Sequence, residues 1–237
     1  MFARACTTMR SSVYGLMSVS PLGPSQAVAT TGTAFMIAPG VLITAAHLLH
    51  AEGDVTRSVH ALFEVISAPD IGRTMERATL VAEDPQRDTA LLRLQSPRSA
   101  RSVTLETSQV PVGTSCGSLG FPLATIVSSP NGPSLSIAER FQGASISAFH
   151  AHPNHSGDQL DYYETDTTMY GGSSGCPGFL IGGKVFGMHI ASVLARGTGA
   201  ETVPPVNGGA QIDRVGISIW VSAREIAIFA RANGFHV

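Results

Sequence analysis

The stretch TTMYGGSSGCPGFLIGGKVFGMHIAS, residues 167–192, decides the fold. It sets serines, a cysteine and a histidine among glycines, and it holds two overlapping motifs. Read as G-x-S-x-G, it offers Ser173 as a hydrolase nucleophile on a strand–elbow–helix. Read as G-x-S-G-x-P, it offers Ser174. The elbow needs a helix after the serine, and an acid and a histidine further on. The residues after the serine are CPGFLIGGKVFGMHIAS, where Pro177, Gly178 and the Gly182–Gly183 pair favour a hairpin over a helix. The second motif needs a histidine and then an aspartate upstream.

Both are there. A serine hydroxyl is a poor nucleophile until a base lies within reach and a third group orients that base. TGTAFMIAPGVLITAAHLL has alternating strands that run into a short turn at His47. DPQRDTALLRL places Asp88 just before an apolar strand, where a carboxylate is buried and aimed at an imidazole. Taken singly, each segment has a bland reading. A histidine after a strand is more often structural, an aspartate before LLRL more often caps a turn, and GGSSG is more often a flexible loop. The three in order favour catalysis.

Composition sets the frame. The 237 residues are 43% hydrophobic and 14% charged, enough for a substantial core. With 25 Gly and 14 Pro scattered at turn-like intervals, short strands are favoured over long helices. A net charge of −2 with no basic run excludes a nucleic-acid or membrane-surface partner by charge. Cys6, Cys116 and Cys176 form no disulfide framework. The N-terminal residues lack an apolar stretch of signal-peptide length, and no run of about 18 apolar residues exists. The expectation is a soluble, cytoplasmic protein.

Along the chain, SSVYGLMSV, GTAFMIA, GVLITAAH, VHALFEVISA and TALLRL read as strands. QSPRSARSVTLETSQVPVG reads as a connector. TSCGSLGF, ASISAF, LDYYETD, GFLIGG, KVFGMHIA and VGISIW continue the pattern. The one helix expected is VSAREIAIFARANG, with Ile226, Phe229 and Ala230 on its apolar face and Gly234 at its stop. Residues 125–139 and 196–213 read as long loops. Strands at this spacing in two halves suggest two packed antiparallel barrels, all-β, ending in an α-helix. The division expected is 1–105, carrying His47 and Asp88, and 106–237, carrying Ser174.

These segments together resemble the trypsin-like serine peptidases: GTAFMI and LITAAH at His47, DTALLRL at Asp88, GSSGCP at Ser174. FQGASISAF, YYETDTTMYGGSSGCPGF, GKVFGMHIAS and VGISIWV are similar to the second barrel of HtrA/Deg-type members, though the length leaves no room for their PDZ domain. The resemblance implies two six-stranded barrels of the chymotrypsin fold. It implies that Ser174 attacks the scissile carbonyl, His47 moves its proton, Asp88 orients His47, and the N–H groups of Gly172 and Ser174 form the oxyanion hole. It implies a polypeptide substrate and no cofactor.

The departures matter too. Extracellular members usually carry Cys after the catalytic histidine; Leu48 stands here, in keeping with a reducing compartment. Zymogen-activated members carry Asp before the nucleophile; Ser173 stands here, so that mode of activation is not expected, and control would come from loop ordering or a regulatory protein partner. Cys176 reads as a small residue behind the turn rather than a redox group. For the substrate pocket the resemblance assigns Thr168, His189 and Ser192. Thr168 stands where trypsin has its aspartate, which disfavours cleavage after Lys or Arg. A histidine at G-x-H occurs in glutamyl endopeptidases and in viral relatives that cut after Gln, so Glu or Gln before the cut is expected, with small apolar residues as the competitor. Asp166 reads as structural. HAHPNH, His150 to His155, invites a metal reading, but Pro153 and Asn154 indicate an exposed turn without supporting ligands. A catalytically silent binding module, or an esterase with the same triad, remain the alternatives.

Overall fold

The computed structural model describes residues 1–23, 26–70, 75–96, 101–129, 132–153, 159–195 and 215–237. The apolar alternation of the first half builds six strands: β1 (Val13–Gly23), β2 (Gln26–Ala38), β3 (Val41–Thr44), β4 (Leu62–Ser67), β5 (Glu76–Asp84) and β6 (Thr89–Leu94). They close as a barrel in the order β1-β2-β3-β6-β5-β4. All neighbours are antiparallel. All four β3 residues are buried, because one face fills this barrel and the other meets the second half.

The second half has β7 (Thr104–Leu105), β8 (Ser115–Gly120), β9 (Thr125–Ser129), β10 (Gly132–Ser136), β11 (Arg140–Pro153), β12 (Gln159–Thr165), β13 (Pro177–Leu180), β14 (Lys184–Ala195) and β15 (Val215–Ser222). The order β13-β8-β11-β12-β15-β14 closes on itself through β13–β14 pairing. This is the second six-stranded ring. Two features depart from the sequence reading. The expected connector contributes β7, which adds to β14 in parallel. The expected loop at 125–139 holds the β9–β10 hairpin, a two-stranded ribbon outside both rings, which needs backbone pairing but no core. The expected loop at 196–213 lies outside the described residues.

One apolar core runs through both halves. Phe35, Leu42, Ile43, Leu91 and Leu92 meet Phe121, Phe179, Met188 and Val221 in a single cluster. A second cluster, with Trp220, Phe186, Tyr163 and Met169, fills the second ring. The last helix, α2 (Ala223–Ala232), starts where expected. The Ser222 hydroxyl accepts the Glu225 N–H at its N-terminus, and Ile226, Phe229 and Ala230 are buried.

A further helix, α1 (Ala3–Met9), was not foreseen. Ala5 and Met9, four apart, bury one stripe against the core. Phe2 lies 5.5 Å from the Phe141 ring and 6.1 Å from the Phe179 ring, so the N-terminal segment rests on the second ring while β1 opens the first. Among the described residues no helix is long and apolar enough to cross a membrane. Replacing Phe2 with Ala should lower stability by about 1–2 kcal/mol, read as a shifted urea midpoint with an unchanged slope.

Candidate active site

β3 ends at Thr44, and a single 3-10 turn, Ala46–Leu49, lifts His47 out of the barrel. The turn before β6 brings Asp88 to it. Asp84 organises that turn, its Oδ1 accepting the N–H groups of Gln86 (2.9 Å) and Arg87 (3.2 Å). Asp88 itself has φ 51°, in the left-handed region, which aspartate enters more readily than most residues with a side chain. Both of its carboxylate oxygens go to His47. Oδ1 accepts the backbone N–H at 2.9 Å and Oδ2 lies 2.7 Å from Nδ1. A carboxylate accepts only, so Nδ1 carries the proton and Nε2 is left as the basic nitrogen.

The serine loop is folded by glycines in two places where only glycine fits. Gly172 (φ 88°) and Gly175 (φ 81°) reverse the backbone around Ser173 and Ser174. A Cβ on Gly175 would fall 2.0 Å from the Thr33 carbonyl oxygen and 2.6 Å from Thr44 Oγ1. The loop is therefore pressed against the strands that lead to His47. Thr33 N–H donates to the Ser174 carbonyl at 2.9 Å, and Thr33 Oγ1 donates to the Gly172 carbonyl at 3.2 Å. The N–H groups of Gly172 and Ser174 donate to nothing among the described residues, and Ser174 Oγ makes no hydrogen bond among them, to His47 or elsewhere. The rival serine is no nucleophile: Ser173 is 1% exposed and its hydroxyl is sealed in without a partner.

The residues expected to line a substrate pocket fall on β14 and the segment before the serine loop, with β15 beside them. His189 is 3% exposed and its ring packs edge-on against Trp220 at 5.1 Å. Its Nε2 lies 3.2 Å from Ser192 Oγ, while Nδ1 makes no hydrogen bond of good geometry among the described residues. Burial pushes its pKa down to about 4, with the nearby His47 adding to the shift, so the ring is neutral at neutral pH. Ser192 Oγ continues to Ser218 Oγ at 3.3 Å. Ser218 in turn donates to the Thr167 carbonyl (2.6 Å) and accepts the Met169 N–H (3.0 Å). Thr168 lies over Gly216, where a Cβ would sit 1.1 Å from its Oγ1. Sequence reasoning missed Ser218, because only the β14–β15 register sets it opposite Ser192.

A second histidine–carboxylate pair lies one turn beyond His47, and it too was missed. His50 Nδ1 is 2.7 Å from the Arg57 carbonyl and Nε2 is 2.8 Å from Glu83 Oε2. Burial alone would lower its pKa, but these two acceptors outweigh it and the net direction is up. Of the other residues singled out, Asp166 accepts the Ser145 N–H at 2.7 Å and so ties β11 to the serine-loop approach. The Cys176 thiol is fully enclosed and pushed up to about 12 by burial, which makes it unreactive. His150 and His152 stack at 5.7 Å and His150 faces Glu164 at 3.1 Å. His155 lies outside the described residues.

Comparison with known proteins gives a family and a fold. The family profile described as a trypsin-like peptidase domain matches residues 32–188. Among solved structures, the chain is similar to the active form of the Rv3671c protease from M. tuberculosis, at 21% identity and a TM-score of 0.66 over 98% of this chain and 86% of that one. It is similar to the inactive form of that protease at 20% identity and a TM-score of 0.64, over 98% and 93%. It is also similar to the HtrA-type protease AlgW with a tripeptide, at 18% identity and a TM-score of 0.68, over 98% of this chain and 62% of that one. No curated protein sequence matches significantly.

This geometry sets two expected outcomes. Gly175→Ala forces a side chain into the Thr33 carbonyl at a left-handed φ; the strain alone is about 1–3 kcal/mol, and a urea titration should show at least that loss. For pH, His189 is neutral when folded down to about 4 but protonates near its ordinary value when unfolded. The unfolded chain then binds more protons, so stability falls as pH drops from the usual histidine range toward pH 4. The fall should be shallower in His189→Gln, measured by melting temperature across that window.

Proposed function

The chain belongs to the trypsin-like peptidase family of serine endopeptidases, and we propose that it cleaves polypeptides through an acyl-enzyme on Ser174. The observation that carries this reading is the two-point grip of Asp88 on His47, which fixes both the tautomer and the orientation of the base. Ser174 Oγ–H gives its proton to His47 Nε2 as Oγ bonds to the scissile carbonyl carbon. The carbonyl oxygen, now an oxyanion, takes the free N–H groups of Gly172 and Ser174; each such donor contributes about 10²–10³ in rate. His47 then protonates the leaving amine, and water repeats the cycle on the ester. Residues 1–105 supply the base and 106–237 the nucleophile and pocket.

Before the cut we propose Gln or Glu. Ser192 offers a hydroxyl and His189 a ring nitrogen, with Ser218, its own proton held by the Thr167 carbonyl, backing Ser192; such a lining suits an acceptor side chain. Because burial keeps His189 neutral, an amide binds without proton uptake and a carboxylate gains a charged partner only once the ring is protonated. Three unpaired cysteines support the cytoplasmic expectation, in which a restrained enzyme acts on a chosen protein partner. A catalytically silent binding module is the second reading, favoured by the open Ser174–His47 gap, although such bonds often tighten only with substrate bound.

The test is cleavage of a peptide library read by mass spectrometry, with Ser174→Ala as control. Cuts after Gln and Glu that vanish in the variant, with Gln favoured over Glu throughout pH 8 to 5 because the His189 ring stays neutral there, are the expected result. Cuts after Val, Ala or Leu would keep the mechanism and refute the pocket. No Ser174-dependent cuts and no labelling by a fluorophosphonate would establish the binding module.

A further inference from the structure

Glu225 sits in the first turn of α2 and is 1% exposed. A carboxylate so deep needs a cation, and the one it has comes from 138 residues away in the other half. Arg87 Nε donates to Glu225 Oε2 at 3.0 Å, and its Nη1 donates to Asp84 Oδ2. Arg87 immediately precedes Asp88. The same turn receives a second contact from the far side, as Tyr162 Oη–H donates to the Gln86 carbonyl at 3.4 Å. Asp84 is thus held by the turn it organises and by Arg87, while Arg87 is held by α2.

We propose that Arg87 and Glu225 are positioning residues of the active site, through which α2 fixes the turn that aims Asp88 at His47; this rests on the reading of Asp88 as the residue that orients the base. Two observations point past mere stabilisation. A buried ion pair adds little net stability, since desolvating both charges offsets their attraction. What it does add is position, and the position it sets is that of a neighbour in a left-handed conformation, Asp88 at φ 51°. The planar guanidinium spans Asp84 and Glu225 at once, which a lysine ammonium cannot do with the same fixed geometry. Both barrels therefore take part in orienting the acid of the triad, although Asp88 and His47 both belong to the first.

The test uses the full chain and a fluorophosphonate, whose phosphorus bonds to Ser174 Oγ as fluoride leaves and His47 takes the serine proton. Arg87→Met combined with Glu225→Gln removes both charges of the buried pair together; Asp84 loses its arginine but is partly exposed and keeps the backbone N–H groups of residues 86 and 87 on Oδ1, so the fold survives. The maximal labelling rate should fall about tenfold in it, since small misplacements of catalytic groups carry costs of up to about 10²-fold. The half-saturating concentration should stay within about twofold. Arg87→Lys, which keeps the charge, should fall similarly. The proton NMR signal of His47 Nδ1–H, far downfield through its bond to Asp88, should move upfield in both variants and vanish in Asp88→Asn. A folded double variant with wild-type labelling and an unmoved signal would overturn the proposal; if the double variant does not fold, wild-type values in Arg87→Lys and in Glu225→Gln would do so. Wild-type labelling that persists in Ser174→Ala would instead remove the triad reading, and the proposal with it.

Discussion

Thr33 lies on β2 at the seam between the two rings, wholly buried, and the geometry of the site depends on it. Its N–H reaches the Ser174 carbonyl, its carbonyl accepts Thr44 Oγ1 at 2.7 Å, and its hydroxyl accepts the Phe121 N–H at 3.0 Å while donating to the Gly172 carbonyl. Every polar group it has is committed. No disulfide ties the nucleophile loop to the base, because all three cysteines are free. Packing alone leaves two rings free to slide by fractions of an ångström. A buried residue whose four bonds run to both sides of the seam removes that freedom, since any slip leaves an unpaired polar group in an apolar core, at about 1–3 kcal/mol each. The left-handed Gly175 is the counterpart: it lets the loop come close enough for Thr33 to hold it.

The same frame sets two buried histidines to opposite tasks. His50 faces two acceptors and takes up a proton readily; His189 faces hydroxyls and an aromatic ring and refuses one. His60 behaves like His189: its two nitrogens meet the hydroxyls of Thr30 and Ser20, each at 3.1 Å, and burial lowers its pKa. The two acceptors on His50 fasten the segment after His47 to Arg57 and Glu83. All three carry the same letter in the sequence, and only the partners across the barrel tell them apart.

That difference marks what a linear reading can reach. The placing of Asp88 against His47, and of Ser174 on a glycine-bent turn, is legible because each lies in a run whose local pattern, strand into tight turn, sets its backbone. The strands and α2 are legible for the same reason, through alternation and a serine cap. Thr33, Ser218, Arg87 and Glu225 are not, because their roles depend on register and on contacts far apart in the chain. Ser218 looks like an ordinary alternating residue until β14 and β15 pair at Ser192. Glu225 looks like a favourable charge in a helix's first turn, and only the closure of the two rings brings Arg87 to it. The helix α1 escaped because Ala5 and Met9 are buried in the core cluster shared by both rings, with Phe2 just before them resting on Phe141 and Phe179, which seven residues cannot announce.

At Ser173, loop order and restraint meet. Trypsin-like zymogens place an aspartate there, and its need for a cation makes the loop conditional. Here the hydroxyl is buried without charge and calls for no counter-ion. The loop is ordered by other means: Ser173 N–H to the Tyr170 carbonyl at 3.0 Å, Gly175 N–H to the His189 carbonyl at 2.8 Å, Cys176 N–H to the Ser173 carbonyl at 3.0 Å, and Thr33 from the other ring. None of these bonds waits for a terminus to be released. The loop's order is thus built into the closed fold, and what is left open is the Ser174–His47 gap. In the proposed mechanism substrate would close it, since a carbonyl oxygen seated on the Gly172 and Ser174 N–H groups would draw the loop and the hydroxyl toward the base. On the proposed reading, restraint would fall to binding, at the pocket proposed around His189.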